Sequence, residues 1–103
     1  MNSPEFGNEA IRRAEEIGYY PAEGQRPIDW NTVKSWADKV QEPDFTWRTE
    51  AEQGPDENII VGENNAVAPG QHRILGGLMG NNPVPEVSIS CLGAPLPTQP
   101  WVR

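Results

Sequence analysis

The residue types that nucleophilic or acid–base chemistry requires are present in small number. His72 is the single histidine and Cys91 the single cysteine, so a thiol–imidazole dyad could form only between these two residues. Asp56 and Glu57 follow a Gly–Pro turn and could supply paired carboxylates if the fold placed them in a cleft. Sequence spacing shows neither arrangement. A small apolar role for Cys91 and solvated positions for the carboxylates are the simpler interpretation.

Motifs for cofactors and metals are missing from the sequence. No Gly-rich segment is followed by the Lys–Ser/Thr pair of a phosphate-binding loop, and no run has the alternating oxygen ligands of a calcium loop. Cys/His clusters with metal-ligand spacing are also missing. We therefore predict neither a cofactor nor a metal site.

The charge balance argues against two classes of partner. The formal net charge is −7, and the eight basic residues are scattered along the chain. Nucleic-acid binding and attachment to an anionic membrane both need clustered Lys and Arg. No apolar run approaches the ~20 residues that span a bilayer. The predicted partner is another protein, and self-association is an open alternative. We predict binding to neither a nucleic acid nor a membrane.

The two ends differ in composition from the middle of the chain. MNSPEFG resembles a sequence left by fusion cloning, so residues 1–7 are predicted to be cloning-derived or disordered. Residues 8–93 are predicted to form a single small domain, and the Pro-rich residues 94–103 an extended tail or linker. A single cysteine excludes an internal disulfide, so a reducing, intracellular environment is the default expectation.

The first half of the chain has helical patterns. One-face apolar spacing predicts a helix over residues 8–18, ending at Gly18. A second helix is predicted from the cap Asp29 to about Gln41, because Trp30, Val33, Trp36, Ala37 and Val40 fall within an arc of about 120°. Residues 44–54 give a weaker helix pattern, for which a short strand over residues 45–49 is the alternative.

The second half is rich in glycine and proline. Short strands are predicted at residues 58–61 and 86–93, the latter with Val87, Ile89 and Cys91 on its buried face. Residues 72–80 are ambiguous, because helical apolar spacing is interrupted by Gly76 and Gly77. The prediction is an α+β fold with two to three N-terminal helices followed by short strands and turns; an all-α fold with an irregular C-terminal half is the alternative. The predicted core comprises Ile11, Ile17, Val33, Trp36, Val40, Phe45, Ile59, Val61, Leu75, Val87 and Ile89.

Tryptophan is the residue type most suggestive of a binding surface, because it dominates both small cores and interface hot spots. Trp30 and Trp36 share the apolar stripe of the second predicted helix, where a core role is favoured over a partner role. Trp101 lies in the predicted tail and is expected to be the most exposed. These three residues are the candidate partner-binding residues.

Three segments carry a resemblance to a known family. PIDWNTVKSWADKVQEPDF resembles the first helix of lentiviral capsid proteins, and AVAPGQHR and GLMGNNPVP are similar to two later segments of the same capsid domain, in the same order. The segments cover about a third of the chain. The resemblance implies a viral or mobile-element structural protein and assigns no functional residue.

Two classes of function follow. The first is a non-catalytic structural or protein–protein interaction domain, excised from a larger viral or modular protein. The alternative is a small hydrolase or transferase that uses carboxylates near Asp56 and Glu57 together with His72. A weaker third hypothesis is an acidic decoy that binds a Lys/Arg-rich protein.

Overall fold

A computed structural model describes residues 4–54 and 57–102 of the chain. Over these residues the order of elements is α1 (Pro4–Glu16), β1 (Tyr20–Pro21), α2 (Trp30–Lys39), β2 (Ile59–Val61), β3 (Ala66–Val67), α3 (Gln71–Met79) and β4 (Ile89–Cys91). Two 3₁₀ turns, Glu50–Glu52 and Glu86–Ser88, precede β2 and β4. Three helices beside a small mixed sheet confirm the α+β prediction.

Helix α1 begins earlier than predicted. Residues 4–7 form its first turn, where proline is tolerated because the N–H it lacks would have no partner within the helix. The Phe6 ring meets the Trp30 ring edge-on, with 6.4 Å between centroids. Phe6 and Gly7 therefore pack against Trp30, whereas residues 1–3 lie outside the described residues. The helix ends before Gly18, whose φ of +84° is the left-handed conformation that glycine adopts freely.

Helix α2 agrees with its prediction. The Asp29 carboxylate accepts hydrogen bonds from the backbone N–H groups of Asn31 and Thr32, at 3.0 and 3.4 Å, and so satisfies two donors of the first turn. Val33, Ala37 and Val40 in the middle of the apolar stripe are buried.

The ambiguous segment forms helix α3, and two glycines, in and just after this helix, lie at its contact with α2. A Cβ at Gly76 would lie 2.4 Å from Cβ of Trp36, and one at Gly80 would lie 2.6 Å from the carbonyl oxygen of Ala37. The glycines therefore let the α3 backbone approach α2 more closely than any side chain permits. Helix propensity disfavours glycine here, and the close packing of two helices outweighs it.

The sheet has the order β1–β3–β2–β4. Strands β1 and β3 are parallel, β2 and β3 antiparallel, and β2 and β4 parallel, with Ile59 opposite Ile89 and Val61 opposite Cys91. The predicted strand at 58–61 is confirmed as Ile59–Val61. The weak element at 44–54 is neither a long helix nor a strand: it is irregular and ends in the first 3₁₀ turn.

Two core clusters lie between these elements. The helical cluster joins α1, α2 and α3 through Ala10, Ile11, Ala14, Val33 and Leu75 and also takes in Trp101. The sheet cluster contains Ile59, Val61, Val67 and Ile74. Six predicted core residues are buried (Ile11, Val33, Val40, Ile59, Val61 and Leu75), and three are half-buried (Trp36, Phe45 and Ile89).

Two core predictions are wrong. Ile17 is 50% exposed because α1 ends at Glu16 and the next residue lies in a turn. Val87 is 63% exposed, and Cys91 is also exposed rather than buried. The cause is the 3₁₀ turn at Glu86–Ser88, which rotates the chain before β4 and buries Ser88 in place of Val87.

The Pro-rich C-terminal segment is extended and docks on the domain. Its backbone pairs with the end of β1 and the residues that follow it: Gln99 N donates to the Pro21 carbonyl and Glu23 N donates to the Pro97 carbonyl, at 3.0 and 2.8 Å. A β-bridge joins Ala22 and Thr98. Among the described residues, no helix is both long and apolar enough to cross a lipid bilayer.

Candidate binding pocket beside helices α2 and α3

Trp30 and Trp36 occupy opposite edges of the α2 stripe and have different surroundings. Trp30 packs against Phe6 and Gly7 of α1, on the side of the helical cluster. Trp36 faces away from α1, towards the irregular segment that follows α2. Both indoles are half-buried. The stripe is thus core along its middle, and its Trp36 edge opens onto a cavity.

That cavity is the candidate binding site and is called the aromatic pocket below. Its volume is about 180 Å³, less than the roughly 300–1,000 Å³ of sites for drug-sized molecules. A pocket of this size accommodates one or two side chains and is too small for a nucleotide. The lining residues are Trp36, Lys39, Phe45, Thr46, Trp47, Arg48, Gln53, Glu57 and Arg73.

Three aromatic rings form one wall. The indoles of Trp36 and Trp47 are stacked, with centroids 5.7 Å apart and planes inclined at 20°. Phe45 meets Trp47 edge-on at 5.0 Å. The ammonium of Lys39, three residues after Trp36 on α2, lies 4.9 Å from the centroid of the Trp36 ring, within cation–π range.

The fold fixes Trp47 although it lies on an irregular segment. Its Nε1–H donates to the carbonyl oxygen of Asn82 at 2.8 Å, and the side chain of Asn82 donates to the Val40 carbonyl at the end of α2. A Cβ at Gly77 would lie 3.2 Å from the Trp47 ring, so the indole packs on α3 where the glycine has no side chain. A ring held on three sides loses little conformational freedom when a ligand binds.

The opposite wall is polar and mainly cationic. Arg48 forms an ion pair with Glu57 at 3.1 Å, and Glu57 also accepts from the backbone N–H of Gly54 at 2.9 Å. These contacts, the Gly54 bond above all, lower the pKa of Glu57 below its usual value. Arg73 donates to the Asn58 carbonyl at 3.3 Å. Partial burial lowers the pKa of Arg73, and nearby Glu57 opposes that shift.

Gln53 connects this wall to the 3₁₀ turn that precedes β4. Its amide group donates to the carbonyls of Arg48 and Ser88, at 3.1 and 2.9 Å. The amide oxygen of Gln53 and the hydroxyl of Ser88 are both buried and have no hydrogen-bond partner among the described residues. Buried acceptors of this kind are usually satisfied by an internal water.

The residues considered for catalysis are dispersed. His72 lies in a separate open cleft beside Gly24–Arg26, where its Nε2 accepts from the backbone N–H of Asp29 at 3.0 Å. Burial lowers the pKa of His72, and the nearby Asp29 carboxylate opposes the shift. Glu57 lines the aromatic pocket instead, and Asp56 lies outside the described residues.

Cys91 and His72 do not form a dyad in the described part of the chain: the thiol is exposed on β4, whereas the imidazole is bonded to the start of α2. No three His, Cys, Asp or Glu side chains within residues 4–54 and 57–102 are grouped so that they could hold a metal ion.

Trp101 was expected to be the most exposed tryptophan, and this expectation is wrong. Only 5% of its surface is accessible, and its Nε1–H donates to the Tyr19 carbonyl at 2.9 Å. The segment that carries it pairs with β1, which inserts the indole into the helical cluster. Trp101 is therefore a structural anchor in this fold.

Four residues that complete the pocket carried no prediction of binding from the sequence: Phe45, which was predicted as core, and Trp47, Arg48 and Arg73. A signal existed in DFTWR, where two aromatic residues and an arginine fall within four positions, a combination typical of binding hot spots. Arg73 gave no such signal, because only the packing of α3 brings it to this wall.

Comparisons of the chain with protein-family models, curated proteins and solved structures give no significant match. The resemblance of three segments to lentiviral capsid proteins therefore stays a prediction from the sequence.

Proposed function

We propose that this chain is a non-catalytic protein–protein interaction domain of a larger viral or modular protein, and that it binds its partner through the aromatic pocket. The observation that carries the proposal is the stacked, half-exposed Trp36–Trp47 pair, fixed between α2 and α3 and capped by Lys39. The occupant is a short segment of another protein that inserts an apolar side chain against the two indoles.

The composition of the pocket supports a protein segment as the ligand. Tryptophan and arginine are the residue types most enriched at interface hot spots, and the pocket lining holds two of each: Trp36, Trp47, Arg48 and Arg73. The volume suits a side chain inserted from a partner's surface. A hydrolase centred on Glu57 and His72 has less support, since these two side chains face different clefts.

A peptide-display selection against the folded domain tests the proposal. Selected peptides are expected to shift the indole N–H resonances of Trp36 and Trp47 in ¹⁵N-resolved NMR spectra and to bind with roughly micromolar Kd, the range of small interfaces. Trp36→Leu should weaken their binding on the order of tenfold or more.

Trp30→Leu is the matched control, because it removes a half-buried indole from the same helix but not from the pocket. Equal losses in both variants, or peptide-induced shifts confined to the cleft beside His72, would contradict the proposal. Failure of the library to yield any binding peptide would contradict it as well.

A further inference from the structure

The charge of the aromatic pocket is opposite to that of the chain. The whole chain carries a formal net charge of −7, whereas the pocket lining contains Lys39, Arg48 and Arg73 and, among its described residues, a single carboxylate, Glu57. Three of the eight basic residues of an acidic protein thus meet at one small cavity. A local excess of positive charge favours a negatively charged ligand.

One of these three cations, Arg48, forms an ion pair in the described part of the chain, and the same carboxylate, Glu57, lies near enough to Arg73 to oppose the lowering of its pKa. Glu57 pairs with Arg48, and neither Lys39 nor Arg73 forms an ion pair with any described residue. The acidic residues of the adjacent 3₁₀ turn hydrogen-bond to neutral groups: Glu50 accepts from the Ser90 hydroxyl, and Glu52 accepts from the backbone and hydroxyl of Thr49. Glu52 also lies near enough to Arg48 for the guanidinium to lower its pKa, so the two cations that this turn leaves uncompensated are Lys39 and Arg73.

Arg73 is the cation with most to gain from a ligand. Its guanidinium is partly withdrawn from water, which lowers its pKa, and the nearby Glu57 carboxylate opposes that shift only in part. Its hydrogen bond goes to a neutral carbonyl, that of Asn58. A carboxylate placed beside a desolvated guanidinium forms a charge-assisted hydrogen bond, about twice as strong as a neutral one.

From this arrangement we infer that the aromatic pocket selects acidic protein segments. An apolar or aromatic side chain of the segment packs on the Trp36 and Trp47 indoles, and one or two Asp or Glu carboxylates beside it bind Lys39 and Arg73. The inference rests on the proposed function and specifies the chemistry of the partner.

The range of electrostatic forces explains why a short acidic segment suits the site better than a nucleic acid. At physiological salt, interactions between exposed charges are screened beyond about 8 Å, so one or two carboxylates respond mainly to the pocket. A nucleic-acid strand extends well past the pocket and meets the remaining surface of a chain with net charge −7, which repels it.

The test uses a display library of short blocked peptides in which acidic, amide, basic and apolar residues are equally represented. Selected peptides should be enriched in Asp or Glu next to an apolar residue. Replacing each acid by its amide, Asp→Asn or Glu→Gln, should weaken binding on the order of tenfold, and added salt should reduce the affinity of the acidic peptide more than that of the amide peptide.

Substitutions in the protein show which residues cause the preference for acidic peptides. Lys39→Gln and Arg73→Gln should each remove most of the preference for the acidic peptide over its amide counterpart. Lys34→Gln is the matched control: Lys34 lies on the same helix with its ammonium 5.9 Å from the Phe6 ring centroid, outside the pocket, and its loss changes the net charge equally. Lys39 is exposed, so its variant keeps the test valid if Arg73→Gln does not fold.

Three outcomes would overturn the inference. Equal affinity for acidic and amide peptides would refute it and leave the proposed function standing. An equal effect of all three variants would assign the preference to overall charge. Tighter binding of a single-stranded oligothymidylate than of any selected peptide would identify a nucleic-acid site instead. A library that yields no binder refutes the proposed function itself.

Discussion

Trp101 and Trp36 show how the same type of side chain takes different positions in one fold. Trp101, in a Pro-rich segment, is 5% exposed and satisfies its N–H on a backbone carbonyl. Trp36, on a well-formed amphipathic helix, is half-exposed against Trp47. Local pattern suggested the reverse for both. The difference lies in what packs on each indole: Trp101 belongs to the buried cluster that joins the three helices, whereas Trp36 stays half-buried beside Trp47 and the aromatic pocket.

The largest expected effect concerns Trp101. Trp101→Ala should destabilise the domain by about 3–5 kcal/mol, because it removes a buried indole from the helical cluster. Urea unfolding followed by circular dichroism measures the loss. Val102→Ala, at the neighbouring position that is 67% exposed, should change stability by less than about 0.5 kcal/mol. Similar values for the two variants would mean that the C-terminal segment is not docked.

The contact between α2 and α3 supports the surroundings of both Trp101 and Trp36. A substitution at Gly76 tests this contact. Gly76→Ala would raise intrinsic helix propensity by up to ~1 kcal/mol, yet its Cβ would lie 2.4 Å from Cβ of Trp36. Overpacking should dominate, with a net loss of about 1–3 kcal/mol. Thermal unfolding should show a lower Tm, and the Trp36 emission spectrum should shift. Ser35→Ala, on the exposed face of α2, is the control; a stabilised Gly76→Ala protein would contradict the close helix contact.

Trp36 itself should matter less for stability than Trp101. Trp36→Ala keeps the Cβ that packs on Gly76 and removes the stacked ring, whose pairing with Trp47 contributes about 0.5–1.5 kcal/mol beyond the apolar area that the ring buries. The total loss should stay below that of Trp101→Ala, because the Trp36 ring is only half-buried. Acrylamide quenching on single-Trp variants, with the other indoles replaced by Phe, should show Trp36 more accessible than Trp101. A larger destabilisation from Trp36→Ala than from Trp101→Ala would reverse the comparison.

The smallest expected effect is a pH dependence of folding stability. It arises from His72, which lies where α2 and α3 begin. Burial lowers the pKa of His72 in the folded state, so folding favours the neutral imidazole, whose Nε2 accepts from Asp29 N–H. Stability should be fully present above the unfolded value of about 6.5 and decrease as the pH falls through the folded pKa. Urea midpoints measured from pH 7.5 down to about pH 5 should show the decline.

His72→Gln is the control for this pH effect, because it retains an acceptor and does not titrate. The Asp29 carboxylate does not contribute in this window, since its own pKa is lowered from the usual 3.8 by the Thr32 hydroxyl and backbone bonds. An unchanged decline in the His72→Gln protein would assign the effect to other groups.

Much of the secondary structure followed from short-range chemistry. The Asp29 cap, the 3.6-residue stripe on α2 and the β-branched run at Ile59–Val61 each determine a local conformation without help from the rest of the chain. Periodicity also placed the buried residues of regular elements, as with Ile11, Val33 and Leu75. It failed where an element ended or turned, at Ile17 and Val87, because the pattern alone does not mark such breaks.

What only the tertiary structure decided is which apolar surfaces remain open. In the sequence, Gly76 and Gly77 suggest a break in the helix. In the structure, they let Trp36 and Trp47 pack directly against α3. Arg73 lines the pocket only because α3 packs beside the segment after α2. Trp101 is buried only because the C-terminal segment pairs with β1 and the residues after it. Helix capping and periodicity are properties of neighbours along the chain, which the sequence determines. A pocket depends on contacts between residues far apart in sequence, which exist only after the core has formed.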